Sequence, residues 1–332
     1  MSKQKYRLTY DTDKAKWDAF VERSPQGSVF SETWYLDALN VKFKTLSVLN
    51  NNDEIVAGIV LAKNHINTWS NPMLDKYLGI LLSEEQTGVS QKTLSTQFII
   101  MELLANELKK KYTSFDYYFH PNFKNWTSLY WKGFNQQTRY TYRIDLKKDI
   151  KIIWNSFHTN TKRNINNALK RNVKIQHKID SESFFSIINE TYIRQGSKAP
   201  FVKQNFIRSY DKLKNIDDKF VSIGAFNEKQ EIISVCGLIC DKNSSYLILN
   251  GINVENEIRG ANALIIYEAI KHIKEKGIDF FDFEGSMLPG VEQFYRRFGG
   301  DLVPYYRIWN DNFFNYFKTK AKRIYKKYKY GR

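Results

Sequence analysis

Seven residues, Ile258-Arg259-Gly260-Ala261-Asn262-Ala263-Leu264, head a helix-periodic run and have the make-up of an anion site. A helix start presents unpaired N–H groups and a partial positive charge, which suits a pyrophosphate. The small residues Gly260, Ala261 and Ala263 let an anion approach the backbone. The same composition also serves a plain helix start packed through small residues. Farther along, Glu284 closes an apolar run just before Gly285-Ser286, where its carboxylate either faces a cleft or stands exposed at a strand end.

The element that must position these groups is a helix followed by a strand. Ala263, Ile266, Tyr267, Ile270 and Ile273 recur at helical spacing and form one apolar face. Gly277 stops the helix, and the apolar run Ile278–Phe283 follows as a strand. A weaker copy lies between Gln97 and His120, with a helix over Thr96–Lys111 and a strand over Phe115–Phe119.

Each copy is preceded by a hairpin pattern. Leu46–Leu49 and Ile55–Ala62 flank one turn; Phe220–Phe226 and Ile232–Cys240 flank the other, with a further strand at Tyr246–Asn250. Matched hairpin, helix and strand in one order indicate a duplicated unit, which places function at the cleft between copies. Between them Lys147–Lys178 reads as a linking helix, and Ser181–Arg194 as a helix capped at Asp180. With only six prolines and no proline-rich linker, the two halves are expected to share an interface.

Composition narrows the chemistry. At 332 residues, 42% apolar and 15% aromatic, the chain has enough material for two packed domains. No apolar run approaches the ~20 residues that span a bilayer, and Met1–Asp13 lacks the apolar core of a signal peptide, so a cytoplasmic location is expected. Cys236 and Cys240 lie about 13 Å apart along one expected strand and read as buried thiols. The five histidines show no ligand spacing, so no metal is indicated. Absence of a G-x-S-x-G elbow or a Walker loop leaves hydrolase and nucleotide-hydrolase readings little support.

The net charge of +16 implies anionic partners. Basic residues gather along the mid-chain run that includes Lys162 and Arg163, and in the tail 311–332, where lysines interleave with aromatics. That tail suits an anionic membrane surface, RNA phosphates, or a terminal helix packed on the body.

Several stretches together resemble the FemAB-like branch of the GNAT acyltransferases. Arg259-Gly260-x-x-Ala263 is similar to a degraded form of the loop with which GNAT enzymes hold the coenzyme A pyrophosphate. Trp17-Asp18-Ala19-Phe20-Val21 and Ser24-Pro25-Gln26-Gly27-Ser28-Val29-Phe30 with Trp34 resemble the branch's N-terminal signature. So do Thr141-Tyr142-Arg143-Ile144-Asp145-Leu146 and Lys162-Arg163-Asn164-Ile165-x-x-Ala168-x-Lys170 in the middle. Phe281-Asp282-Phe283-Glu284-Gly285-Ser286, then Gly290-Val291-x-x-Phe294-x-x-x-Phe298-Gly299-Gly300, resembles its C-terminal signature. The matches run from Trp17 to Tyr306.

The resemblance implies an α/β (α+β) fold of two tandem GNAT-like domains, each a mixed twisted sheet flanked by helices. The expected division is 1–147, then 148–310 with the donor site, then the tail 311–332. It implies transfer of an acyl group from acyl-CoA, or an aminoacyl group from aminoacyl-tRNA, to an amine of a cell-envelope saccharide or peptide precursor. A scaffold that has lost chemistry and binds only RNA or another anion is the alternative from a different class. On this reading Arg259, Gly260, Asn262 and Ala263 hold the donor, and Glu284 is the base that frees the amine. Tyr295 donates to the tetrahedral oxygen or to the leaving thiolate, at a position where peptidoglycan-bridge enzymes commonly carry lysine. Lys162, Arg163, Arg296 and Arg297 grip acceptor phosphates.

Overall fold

The computed structural model describes residues 5–63, 69–112, 114–216, 218–253, 258–285 and 287–310. The basic tail 311–332 and Ser286 of the C-terminal signature lie outside the described residues.

The first half runs β1 (Arg7–Tyr10), α1 (Lys14–Arg23), α2 (Thr33–Ala38), β2 (Phe43–Leu49), β3 (Ile55–Ala62) and β4 (Leu81–Leu82). It continues with α3 (Gln91–Lys111), β5 (Asp116–Tyr118), α4 (Thr127–Trp131) and β6 (Asn135–Asp145). The second half opens with α5 (Ile150–Ser156), α6 (Thr159–Lys170), β7 (Lys174–His177), α7 (Ser181–Arg194) and α8 (Lys203–Lys214). Then come β8 (Phe220–Phe226), β9 (Ile232–Cys240), β10 (Ser244–Ile252), α9 (Ala261–Glu275), β11 (Phe280–Asp282), α10 (Pro289–Arg296) and β12 (Asp301–Trp309).

Both expected hairpins form, as β2–β3 and β8–β9, and α9 ends beside Gly277 in the left-handed conformation. Asp180 caps α7 by accepting a hydrogen bond from the Ser183 amide at 2.8 Å. Cys236 and Cys240 are free and buried. One expectation fails: Lys147–Lys178 is not a single helix but α5, α6 and β7. Phe157 takes extended backbone angles and ends α5, while the His158 side chain accepts from the Asn160 amide and starts α6. The His158 N–H donates to the Arg297 carbonyl at 2.8 Å, which locks the break against the end of α10. Amphipathic spacing continues through such a break, so periodicity alone does not reveal it.

The sheets explain how the halves are joined. A four-stranded antiparallel sheet has the order β1-β2-β3-β4, and an eight-stranded mixed sheet has the order β5-β12-β6-β11-β10-β9-β8-β7. The larger sheet therefore takes strands from both halves. The 11-residue β6 pairs with β11 on one side and β12 on the other, so the last of the described strands inserts between two strands of the first half. A buried cluster crosses the same boundary: Phe30, Tyr35 and Tyr77 pack with Ile239, Tyr246 and Tyr305. Each fully buried aromatic contributes roughly 1.5–3 kcal/mol relative to exposure, enough to hold the halves together.

Candidate functional site

The parallel ladder between β10 and β11 lasts only from Ser244 to Tyr246, after which the strands part. The rest of β10 keeps its β9 partner on one side, with a bulge at Ile248 between Leu247 and Leu249. The parting opens a cavity of about 730 Å³. Its walls are the β10 residues Leu247–Asn250 and Ile252, the start of α9, and the chain that leaves β11 at Phe283–Gly285. The end of α7 and the inner face of α10 complete it.

Arg259, Gly260, Asn262 and Ala263 all line this cavity. Gly260 has φ +101 and caps α9, and a Cβ there would overlap the carbonyl oxygen of Asn164 on α6. Only glycine meets both demands. The helix start is held further by Asn167, whose Nδ2 donates to the Arg259 carbonyl at 2.9 Å, and by Ser234, whose hydroxyl donates to Asn262 Oδ1 at 3.0 Å. The Arg259 side chain is left exposed at the rim. The head of a 15-residue helix thus borders a roomy, partly apolar space, with the Ala261 N–H turned back onto the Ile258 carbonyl at 3.0 Å.

Glu284 and Tyr295 line the same cavity. Glu284 is not the exposed strand-end carboxylate that the sequence also allowed: its Oε1 is buried without a hydrogen-bond partner. It has φ +55, and Gly285 follows at +68, so two consecutive left-handed residues turn the chain sharply away from β11. A side chain other than Asn or Asp held there is a strained feature of the kind that clusters at working sites. The Glu284 N–H donates to Asp282 Oδ1 at 2.7 Å, and the Thr141 hydroxyl donates to the same oxygen at 2.6 Å. Burial pushes the Glu284 carboxyl up to about 8; the Lys76 ammonium opposes the shift and the Asp282 charge adds to it. Tyr295 packs its ring 4.9 Å from that of Phe283, and burial keeps its phenol neutral.

The remaining expected residues lie elsewhere. Lys162 and Arg163 share a shallow basic concavity on the outer face of α6 with Asn166, Asn167 and Lys170. Their neighbour Asn164 is the α6 residue that reaches the cavity wall. Arg296 pairs with Glu292 one turn back at 3.2 Å, and Arg297 gives its carbonyl to His158; neither side chain lines the cavity.

Sequence reasoning missed a polar cluster behind Glu284. On the loop between β3 and β4, Lys76 acts on Glu284 across the boundary between halves, and the Glu284 charge in turn raises Asp75. Burial holds the Asp75 carboxyl well above the usual range. Burial pulls Lys76 down, but Tyr305 and Glu284 raise it further than burial lowers it. No periodic signal marks Ser70–Leu78, so only the Asp282 end of this cluster, inside the Phe281–Gly285 motif, was open to sequence inspection. Arg194, also at the cavity, was likewise missed. Among the described residues no group of three or more His, Cys, Asp or Glu could hold a metal ion, and no helix is long and apolar enough to cross a membrane.

No family model matches the sequence. No curated protein matches it either. Solved structures do. FemX superposes with a TM-score of 0.67 at 14% identity, covering 90% of this chain and 96% of its own. A tandem GNAT protein from the clavulanic acid biosynthesis pathway gives 0.53 at 10% identity, covering 91% of this chain and 98% of its own. The chain carries a tandem GNAT fold. L-PGS from Bacillus licheniformis superposes equally well at 0.53 and 12% identity, covering 91% of this chain and 93% of its own. In this chain the parted β10 and β11, the bulge and the Gly260 helix start all belong to the second half.

Proposed function

We propose that the protein is an N-acyltransferase that moves an acyl group from a thioester donor, acyl-CoA, to an amine. The observation that carries this reading is the convergence on one cavity of a glycine-opened helix start and a carboxyl group poised near pH 8. The donor's pyrophosphate lies against the amides of α9 and the Arg259 guanidinium, and its thioester runs inward along β10. The nitrogen of the acceptor attacks the thioester carbonyl as Glu284 takes its proton. The developing oxyanion is received beside Ile248, where the regular pairing of β10 with β9 is interrupted. Collapse of the tetrahedral intermediate expels the thiolate, to which the neutral Tyr295 phenol donates a proton.

The acceptor we favour is an amino sugar or peptide on a phosphate-linked cell-envelope precursor, with Lys162 and Arg163 receiving its phosphates. The FemX and L-PGS likenesses agree with this direction but lie at too low an identity to transfer a substrate. The basic α6 face beside the cavity also favours a second reading, in which aminoacyl-tRNA is the donor. The test is thiol release from acetyl-CoA and longer acyl-CoAs in the presence of amine acceptors, beside transfer from charged tRNA with and without ribonuclease. Acyl-CoA-dependent release that requires an amine supports the proposal. Ribonuclease-sensitive transfer with no acyl-CoA turnover replaces it with the second reading, and inactivity with both donors refutes it.

A further inference from the structure

We propose that the second half carries a further binding site, a basic cavity at the far end of α9 that receives a phosphate group. It is separate from the cavity beside Glu284 and does not rest on the acyl-transfer reading.

The cavity has a volume of about 310 Å³ and forms where four elements meet: the end of β7, the end of α8, the start of β8 and the last turns of α9. On α9, His272 stands 11 residues beyond Ala261, so at 1.5 Å per residue it lies about 16 Å from the Gly260 end of the helix. Five basic side chains line the space: His177, Lys178, Lys214, His272 and Lys276. Asp218 is the one carboxylate among the described residues that line it.

The backbone fixes these groups in place. Lys178 is left-handed at φ +61, and its N–H donates to the Ser222 carbonyl at 2.9 Å. The next N–H, of Ile179, donates to the Ser222 hydroxyl at 3.1 Å, so the turn after β7 is tied to the start of β8. His177 and the half-buried His272 bring their rings to 4.8 Å, and among the described residues neither imidazole hydrogen-bonds to a partner across the cavity. Lys178 and Lys214 likewise make no ion pair or hydrogen bond through their ammonium groups, while Lys276 pairs with Asp218.

Helix ends explain part of this arrangement. Lys214, His272 and Lys276 stand in or just past the last turns of α8 and α9, where a cation offsets the partial negative charge of the helix end. No helix end explains His177, which closes β7, or Lys178 after it. Nor does one explain why basic groups from separate elements converge on a single concave space, since like charges repel. Burial, the His177 imidazole and the Lys276 ammonium hold His272 below its ordinary pKa, although Glu275 and Asp218 oppose the shift. The neighbouring carboxylates do not cancel the excess. Asp218 is exposed and paired, Glu275 is exposed and lines no part of the cavity, and Asp180 is engaged in capping α7.

Three ammonium groups against one carboxylate leave the walls two charges positive before either histidine is protonated. A phosphate monoester answers that charge as a dianion, and its oxygens accept from donors on several sides. Lysine serves phosphate as a point charge. A carboxylate ligand is planar and singly charged, and is better met by the fork of an arginine, which these walls lack. A metal ion would meet three ammonium groups. The bound phosphate accepts from Lys178, Lys214 and the His272 imidazole, which takes up a proton.

The test uses the full chain with isotope-labelled histidines and sodium phosphate as probe, with chloride at equal ionic strength as control. Of the five imidazole signals in an NMR titration, those of His177 and His272 are expected to move with phosphate and not with chloride. His177→Gln and His272→Gln assign them. The pKa of His272 should rise by about one unit as the anion binds. Lys178→Gln combined with Lys214→Gln should weaken phosphate binding by roughly tenfold or more, and Asp218→Asn, which frees Lys276, should tighten it. Lys162→Gln and Arg259→Ala should leave the response of both histidines unchanged, which separates this cavity from the other basic faces. Phosphatidylcholine vesicles containing phosphatidic acid identify the source of the group. Sedimentation that the double lysine variant loses marks a lipid headgroup. Equal sedimentation of variant and parent, with the histidine response to phosphate intact, marks a soluble phosphate ester. Signals of His177 and His272 that stay still in phosphate, or that move no more than those of the other three histidines, would overturn the proposal.

Discussion

Gly260 and the main-chain carbonyl of Asn164 approach so closely that a methyl group has no room between α9 and α6. This contact sets the start of α9 against the cavity wall. Gly260→Ala adds steric overlap to a residue whose φ of +101 already disfavours any side chain. The strain alone amounts to about 1–3 kcal/mol. Melting should fall by several degrees, and isothermal titration with acetyl-CoA should show affinity weakened by roughly tenfold or more, an anion site of backbone amides having been displaced.

The pH dependence of catalysis follows from Glu284. As the proposed base it must be ionised, and its carboxyl is pushed up to about 8. In the acyl-CoA assay kcat/KM should rise with pH through that value and then level. Glu284→Gln should lower kcat by about 10²–10⁴-fold, the usual worth of a general base, and remove the rise. A variant that keeps both the rate and the profile excludes Glu284 from the chemistry.

Stability should run the other way. Because the folded pKa of Glu284 is raised above its unfolded value of 4.5, the folded state binds the proton more tightly. The associated stability is complete below pH 4.5 and is lost as pH rises toward about 8. Asp75 has the same sign. Urea denaturation at pH 6 and pH 9 should show Glu284→Gln gaining on the unmutated protein at the higher pH.

Thr141 tests the support beneath Glu284. Its hydroxyl and the Glu284 amide share Asp282 Oδ1, so β6 of the first half steadies the turn that carries Glu284. Thr141→Val keeps the shape but leaves a buried acceptor short of a donor, at a cost of about 1–3 kcal/mol. Denaturant titration should show that loss, and kcat should drop more than the donor KM rises.

Arg259 should behave as an electrostatic contact rather than a structural one. Its side chain is exposed, so Arg259→Ala should leave melting within about a degree. Donor KM should rise about tenfold at low salt, and the gap between variant and parent should narrow as ionic strength increases.

Local pattern determined much of this protein. The hairpins β2–β3 and β8–β9, the α9 helix and its Gly277 stop, and the Asp180 cap of α7 are encoded within a few neighbouring residues each, where spacing and backbone preference suffice. The Arg259–Ala263 helix start and Glu284 were legible for the same reason, since each sits at the end of a periodic element. Tertiary structure alone decided that β12 inserts between β5 and β6, because strand pairing between residues some 170 positions apart leaves no local mark. It alone decided that Arg296 and Arg297 stand off the cavity wall while Asn164 and Arg194 reach it. The Asp75–Lys76 loop, which has no period, comes to matter only because a cross-domain aromatic core presses it against the end of β11. Charge and burial at that point are properties of the folded chain, and they turn an ordinary glutamate into a group that titrates near pH 8.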